Sequence, residues 1–162
     1  AAVAQVWDIT TPPPKIAVQK SNVSLLLFCL SAISPTKMEQ TVQNVIATLK
    51  KKRANQNQNG TLLFRDYGRY DEAQLKLGNK RNRRISENYY VKNDGTHCYY
   101  FSLEDLRRLF VTVGGLEELE CRYIRRTYVN RGLDGEYGER RRCWVQARFR
   151  MPSQGLSTGV ET

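Results

Sequence analysis

The sequence predicts an α/β domain that holds the second half of a doubly wound sheet, with a β-hairpin inserted. Three observations carry this. Residues 23–30 (VSLLLFCL) and 61–64 (TLLF) are short, continuous apolar runs separated by a helix-patterned segment, the order of a β-α-β unit whose strands are buried on both faces. Residues 88–101 (NYYVKNDGTHCYYF) set two aromatic runs around Asp94-Gly95, a strong hairpin signal. A second helix pattern and two strand patterns finish the chain. No G-x-G occurs anywhere, so the glycine-rich loop that opens a doubly wound sheet is missing.

Residues 3–9 (VAQVWDI) end in a strand-like apolar patch with Trp7 and Asp8, and the three prolines of TTPPPK exclude a helix or central strand after it. Val23 to Leu30 is the first buried strand. Ser34 followed by Pro35 reads as an N-cap and a first-turn proline. Met38, Val42, Val45, Ile46 and Leu49 then recur at helical spacing and predict an amphipathic helix over 35–52. Residues 50–60 (KKKRANQNQNG) form a polar loop before the strand TLLF, and strand, helix and strand make a right-handed parallel crossover. Residues 76–84 (KLGNKRNRR) read as a basic loop ahead of the hairpin. Ser102 caps a second helix with Glu104 and Asp105 in its first turn. Leu103, Leu106, Leu109, Phe110 and Val113 form its apolar face, and Gly114 ends it. Residues 116–131 and 142–152 read as an antiparallel strand pair joined by the glycine-rich loop 132–138. The expected division is a partial domain over 1–152 and a disordered tail over 153–162.

Composition narrows the function classes. The 162 residues carry 26 Lys and Arg against 16 Asp and Glu, a formal charge of +10. The excess lies in four clusters, Lys50–Arg53, Lys80–Arg84, Arg122–Arg131 and Arg140–Arg142, which favour a polyanionic partner such as RNA or DNA. The most apolar stretch, Val23 to Ile33, is well short of the roughly 18 residues of a membrane span, and the N-terminus lacks a secretory pattern. Four scattered cysteines and one histidine, His97 beside Cys98, lack the close pairs a zinc site needs, so reduced cysteines of an intracellular protein and no metal are expected.

Residues 62–75 (LLFRDYGRYDEAQL) are the most informative. Phe64 is expected to end the second strand, and Arg65, Asp66, Tyr67, Gly68, Arg69, Tyr70 and Asp71 follow without a spacer. A plain turn needs Gly, Asn, Asp or Pro, not two arginines and two tyrosines. Open α/β sheets bind ligands outside the carboxyl ends of their strands, so this stretch is expected to floor a site.

The segments VWDIT, LLLFCLSAISPTKM, LLFRDYGRYDEAQLKL, ENYYVKNDGTHCYYFSLEDLRRLF, YVNRG and CWVQARFRMP together resemble the methyltransferase-like family that makes 3-methylcytidine in tRNA. The resemblance runs from Val6 to Pro152 in the family's order. It implies the C-terminal half of the catalytic domain of a class I, Rossmann-like, S-adenosylmethionine-dependent methyltransferase. Departures are Asn22 where the family often has Asp, the long loop 53–60 in place of a tight KPGG turn, and extra basic residues over 78–84.

The resemblance also implies roles. Asp8 accepts a hydrogen bond from the cofactor's adenine amino group and Ile9 helps form the adenine slot, with Leu27 and Phe28 beside the methyl donor. Cytosine N3 is a lone-pair nucleophile, so alignment matters more than a strong base. The product is a cationic base, which a nearby carboxylate stabilises. Asp66 is the first choice for that carboxylate and Asp71 the alternative, with Tyr67 stacking on the displaced base. Arg65 and Arg69 grip phosphate or orient the carboxylates. Asn88, Tyr89, Tyr90 and Lys92 lie near the pocket, and Arg125, Arg126, Asn130 and Arg131 lie toward the substrate edge. Arg140–Arg142 are assigned general RNA attraction.

The expected activity is therefore N3-methylation of cytidine in the tRNA anticodon loop, at position 32 as the family implies. S-adenosylmethionine is the cofactor and tRNA the substrate. Some family members need an aminoacyl-tRNA synthetase or another RNA-binding partner. The expected location is the cytoplasm, with nucleus and mitochondrion left open. The competing reading is a non-catalytic basic module, derived from this fold, that binds RNA or a partner.

Overall fold

The computed structural model describes residues 4–51, 59–131 and 137–153, the side chains of Asn130, Arg131 and Tyr137 excepted. The loop 53–60 therefore falls mostly outside the described residues, as do 132–136 and all but the first residue of the expected tail. Strand β1 (Val23–Leu27) leads through a short 3-10 turn (Leu30–Ala32) into helix α1 (Pro35–Ile46), then strand β2 (Thr61–Tyr67) and helix α2 (Glu72–Gly78). Strands β3 (Arg84–Ser86), β4 (Tyr89–Val91) and β5 (His97–Tyr99) follow. Helix α3 (Leu103–Leu106) widens into a π-helical segment (Arg107–Val113), and β6 (Glu117–Arg131) and β7 (Tyr137–Arg150) end the fold.

The main sheet has the order β1-β2-β7-β6, with β1 and β2 parallel and both β2–β7 and β6–β7 antiparallel. The connection from β1 to β2 through α1 is the expected β-α-β unit. The antiparallel pair also forms as expected, although β7 starts at Tyr137, five residues before the predicted start. The insert is a three-stranded meander, β3-β4-β5. Its turn uses Gly95 at φ 80°, a left-handed conformation that glycine adopts without steric cost. Strand β3 was expected as loop, because its three exposed residues carry no apolar alternation.

Burial alternates sharply. Leu62, Phe64, Val145, Ala147 and Phe149 face one side, where they meet Met38, Val42 and Val45 of α1 and Leu106, Leu109 and Phe110 of the second helix. Phe110 stacks on Phe149 with ring centroids 4.8 Å apart. Each such side chain contributes on the order of 1.5–3 kcal/mol when fully buried. On the other side of the sheet, no helix among the described residues covers the β1 end. Val23, Leu25 and Leu27 of β1 are 56 %, 64 % and 50 % exposed, so β1 is an edge strand open on one face rather than buried on both.

Four further expectations are corrected. Strand β2 does not stop at Phe64: it runs through Arg65, Asp66 and Tyr67, which pair with Gln146, Val145 and Trp144. Helix α1 ends at Ile46 rather than 52, because the backbone N–H groups of Gln19, Lys20 and Ser21 donate to the carbonyls of Ala47 and Thr48. Residues 4–8 form no strand; the Asp8 side chain instead accepts from Thr10 N and Thr10 Oγ1, both at 2.9 Å, in a local turn. The second helix has α pitch for one turn only. Its start is well specified, since Ser102 accepts from Asp105 N while Asp105 accepts from Ser102 N, a reciprocal capping box.

Candidate active site

The candidate site begins at the carboxyl ends of the two parallel strands. Just past β1, Phe28 sits at φ 49°, in the left-handed region that a bulky side chain rarely occupies. The strained backbone lifts its ring, 44 % exposed, out of the sheet. There it meets Tyr67 at 5.3 Å and Trp144 at 6.2 Å between centroids. Tyr67 and Trp144 are cross-strand partners and so share the open face. Cations surround these rings. Lys92 Nζ lies 5.3 Å and Arg142 Cζ 5.6 Å from the Tyr67 ring centre, and Arg65 Cζ lies 6.0 Å from that of Trp144. Arg65 Nε donates to Gln146 Oε1 at 3.0 Å, which holds its guanidinium along the sheet. An aromatic surface ringed by three cations binds a π-faced, negatively linked ligand such as a nucleotide.

Both carboxylates expected beside the base lie behind this surface instead. Asp66 is 0 % exposed and points to the helix-covered side, where it accepts from Ser31 N at 2.9 Å and Tyr67 N at 2.9 Å. Burial pushes its carboxyl above the usual range, opposed by the hydrogen bonds from Ser31 and Tyr67. Its bond to Ser31 ties the turn after β1, and with it Phe28, to the end of β2. Asp71 is also 0 % exposed. It caps α2 by accepting from Ala73 N at 2.9 Å, and it holds β7 by accepting from Cys143 N at 2.8 Å and Arg142 Nε at 2.9 Å. Neither carboxylate is exposed on the open face, and Asp71 reaches it only through Arg142, so each is placed as a positioning residue.

The remaining candidates divide as follows. Arg65, Tyr67, Phe28 and Lys92 come together around the Tyr67 and Trp144 rings. Leu27 flanks them on the edge strand. Arg126 is exposed and pairs in register with Arg142, so it shares the open face. Arg125 pairs with Cys143 and faces the other way, over Tyr123. Asn88 and Tyr90 are buried inside the insert: Asn88 Oδ1 accepts from Gln74 Nε2, and Tyr90 packs edge-on against Tyr100. Arg69 turns to Glu87, 3.8 Å away, and lies over Tyr70; its Nε is buried without a partner. Asp8 and Ile9 lie in the turn tied to α1, where Asn44 Nδ2 donates to Ile9 O at 3.0 Å. The side chains of Asn130 and Arg131 lie outside the described residues. Trp144 was missed, and Arg142 was assigned only general RNA attraction. Alternation in R-C-W-V-Q puts Arg142, Trp144 and Gln146 on one face, but that face becomes part of the site only once β7 is known to pair with β2.

Among the described residues there is no group of metal-ligating side chains, and no helix is long and apolar enough to cross a membrane. All four cysteines are free, and burial pushes the Cys98 and Cys121 thiols up to about 11.

No protein-family model matches the chain. The tRNA N(3)-cytidine methyltransferase METTL2 of Bos taurus is 41 % identical over 152 residues, covering 94 % of this chain and 36 % of the relative. The tRNA(Thr) (cytosine(32)-N(3))-methyltransferase of Saccharomyces cerevisiae is 36 % identical over 153 residues, covering 92 % and 22 %. The tRNA N(3)-methylcytidine methyltransferase Mettl2 of Drosophila melanogaster is 40 % identical over 151 residues, covering 91 % and 42 %. The chain thus spans roughly a third of the length of the curated relatives it matches. Among solved structures, a SAM-dependent methyltransferase from Methanosarcina mazei superposes with a TM-score of 0.60 at 14 % identity, over 91 % of this chain and 66 % of that one. Another from Anabaena variabilis gives 0.52 at 18 % identity, over 79 % and 48 %. At such identities these two speak to the fold alone. By fold the chain is part of a Rossmann-like α/β domain of the kind seen in these two structures, and by sequence it is similar to a part of the tRNA N(3)-cytidine methyltransferases.

Proposed function

We propose that the protein containing this chain methylates cytidine N3 in tRNA, at the anticodon loop and at position 32, the position in the yeast relative's name. The observation that carries the site assignment is the Phe28–Tyr67–Trp144 surface with Arg65, Lys92 and Arg142 around it, at the carboxyl ends of β1 and β2. The residues present fit S-adenosylmethionine. The exposed Leu27–Phe28 edge offers an apolar wall, and Asp8 keeps one oxygen without a hydrogen bond among the described residues, open to an exocyclic amino group. Two bonds from Thr10 hold the Asp8 carboxyl below its usual range, so it accepts at neutral pH. When bound, the cofactor supplies a methyl group on a sulfonium cation.

The residues of this chain then orient and exclude. Tyr67 and Phe28 present aromatic faces on which a displaced cytosine stacks, and the cations hold the flanking phosphates. N3 carries a lone pair and no proton, so the chain needs no general base here; the demand is alignment. Asp66 serves that alignment by fixing the Ser31 turn that presents Phe28.

The test is methyl transfer to tRNA by the natural polypeptide containing these residues, read by mass spectrometry of the nucleosides. Formation of 3-methylcytidine, lowered about tenfold or more in Tyr67→Ala, supports the reading; the scale follows from about 1–3 kcal/mol for one base–aromatic stack. A folded wild type that binds tRNA and forms no 3-methylcytidine overturns it in favour of a binding module.

A further inference from the structure

Beside the aromatic surface lies a second cavity, between α2 and the β6–β7 pair. Its volume is about 440 Å³, within the range of small-ligand sites. Lys76, Arg140 and Arg142 line it with Tyr128, Trp144 and Glu72. The two rings form an open angle, 6.1 Å between centroids and 56° between planes. Tyr128 is 46 % exposed, so its ring is available. Trp144 is the wall shared with the first site, since its ring also meets Phe28.

The charges are arranged rather than scattered. Glu72 accepts from Lys76, from Arg140 Nη1 at 3.2 Å and from Arg141 N at 2.7 Å, which sets α2 against β7. Arg142 is fixed by Asp71. Lys76 and Arg140 therefore flank Glu72 while Arg142 is paired with Asp71, so three ordered cations stand against two carboxylates and the cavity keeps net positive charge beside two aromatic rings.

We infer that this cavity is a second nucleotide subsite. It takes an unpaired base of the same RNA strand next to the base being methylated, stacked against Trp144 and Tyr128, with its phosphate on Arg140 and Lys76. The inference rests on the RNA-methylation reading above for the identity of the strand. An acidic protein segment would satisfy the cations but leave the two aromatic faces without a planar partner, which is why RNA is favoured.

The 162-residue chain carries two tryptophans, so Trp7→Phe leaves Trp144 as its only indole. Titration of that variant with a single-stranded RNA hexamer is expected to quench Trp144 emission saturably. Tyr128→Ala is expected to weaken binding about tenfold, and Arg140→Gln to lower the slope of log affinity against log salt by about 1. Circular dichroism confirms that each variant folds. Unchanged Trp144 emission on RNA binding, or Tyr128→Ala binding as tightly as its parent, overturns the subsite. So does equal quenching and affinity with an oligoglutamate peptide. Natural polypeptide with Tyr128→Ala that methylates tRNA at an unchanged KM also overturns it while leaving the methylation reading intact. RNA-dependent quenching by a chain whose natural polypeptide forms no 3-methylcytidine supports the subsite and sinks that reading instead.

Discussion

Removing the Asp71 side chain tests how α2 and β7 are held beside the site. Asp71→Ala deletes three bonds: the cap from Ala73 N, the bond from Cys143 N, and the pair with Arg142. Losing an N-cap costs about 0.5–2 kcal/mol. Leaving the Cys143 N–H buried without an acceptor costs about 1–3 kcal/mol. Arg142 keeps 32 % of its side chain exposed, so water replaces much of the ion pair and its loss adds at most about 1 kcal/mol. The expected destabilisation is about 3 kcal/mol, a large share of the roughly 5–15 kcal/mol that holds a domain together. Urea denaturation of the 162-residue chain measures it as a lower midpoint at constant m-value. Because most of the loss falls on backbone donors, Arg142→Ala should recover little of it. A double-mutant cycle should assign the Asp71–Arg142 pair no more than about 1 kcal/mol. A loss under about 1 kcal/mol in Asp71→Ala, or a coupling that accounts for most of the effect, would refute this apportionment.

Gly68→Ala should destabilise by about 1–3 kcal/mol, since the added Cβ would lie 3.1 Å from Cys143 Sγ and 3.1 Å from the Trp144 carbonyl carbon, and backbone cannot swing aside; a melting temperature equal to wild type would contradict this. The Glu72 carboxyl is held down to about 2 from 4.5, first by the Lys76 bond and then by Arg141 N. Its contribution is present above pH 4.5 and lost as pH falls toward about 2, so wild type should lose more melting temperature than Glu72→Gln across that window; parallel melting curves would count against it. Asp66 is raised by burial, so its contribution is present below pH 3.8 and is lost as pH rises through its folded value. The stability advantage of wild type over Asp66→Asn should therefore shrink from about pH 4 to pH 7, and an advantage that grows would mean the ionised form is the stabilised one.

Much of the fold was legible because its signals are local. The β-α-β unit follows from two apolar runs around a helical period, and the insert from Asp94-Gly95 between aromatic runs. What escaped depends on partners distant in sequence. Strand β2 extends past Phe64 only because β7 offers Gln146, Val145 and Trp144 as ladder partners. Strand β1 read as buried on both faces from its composition, yet Leu25 is 64 % exposed because no described element covers that side. Helix α2 was overlooked because Asp71 was weighed as a catalytic acid. Its position is that of an N-cap, the more ordinary use of Asp two residues before Ala73 N.

The site was half legible for a related reason. The R-D-Y-G-R-Y-D stretch lies at the candidate site, but a strand sends alternate side chains to opposite faces. Arg65 and Tyr67 reach the open side while Asp66 between them cannot. The acid in this motif thus works from behind: its bond to Ser31 N spans the carboxyl ends of both parallel strands and holds Phe28 at its left-handed φ. Cationic side chains stand in front on the open face, and the carboxylates stand inside, where they fix geometry. On the proposed reading, attack by a neutral lone pair needs a well-held plane more than a proton acceptor, and this division of labour would supply one.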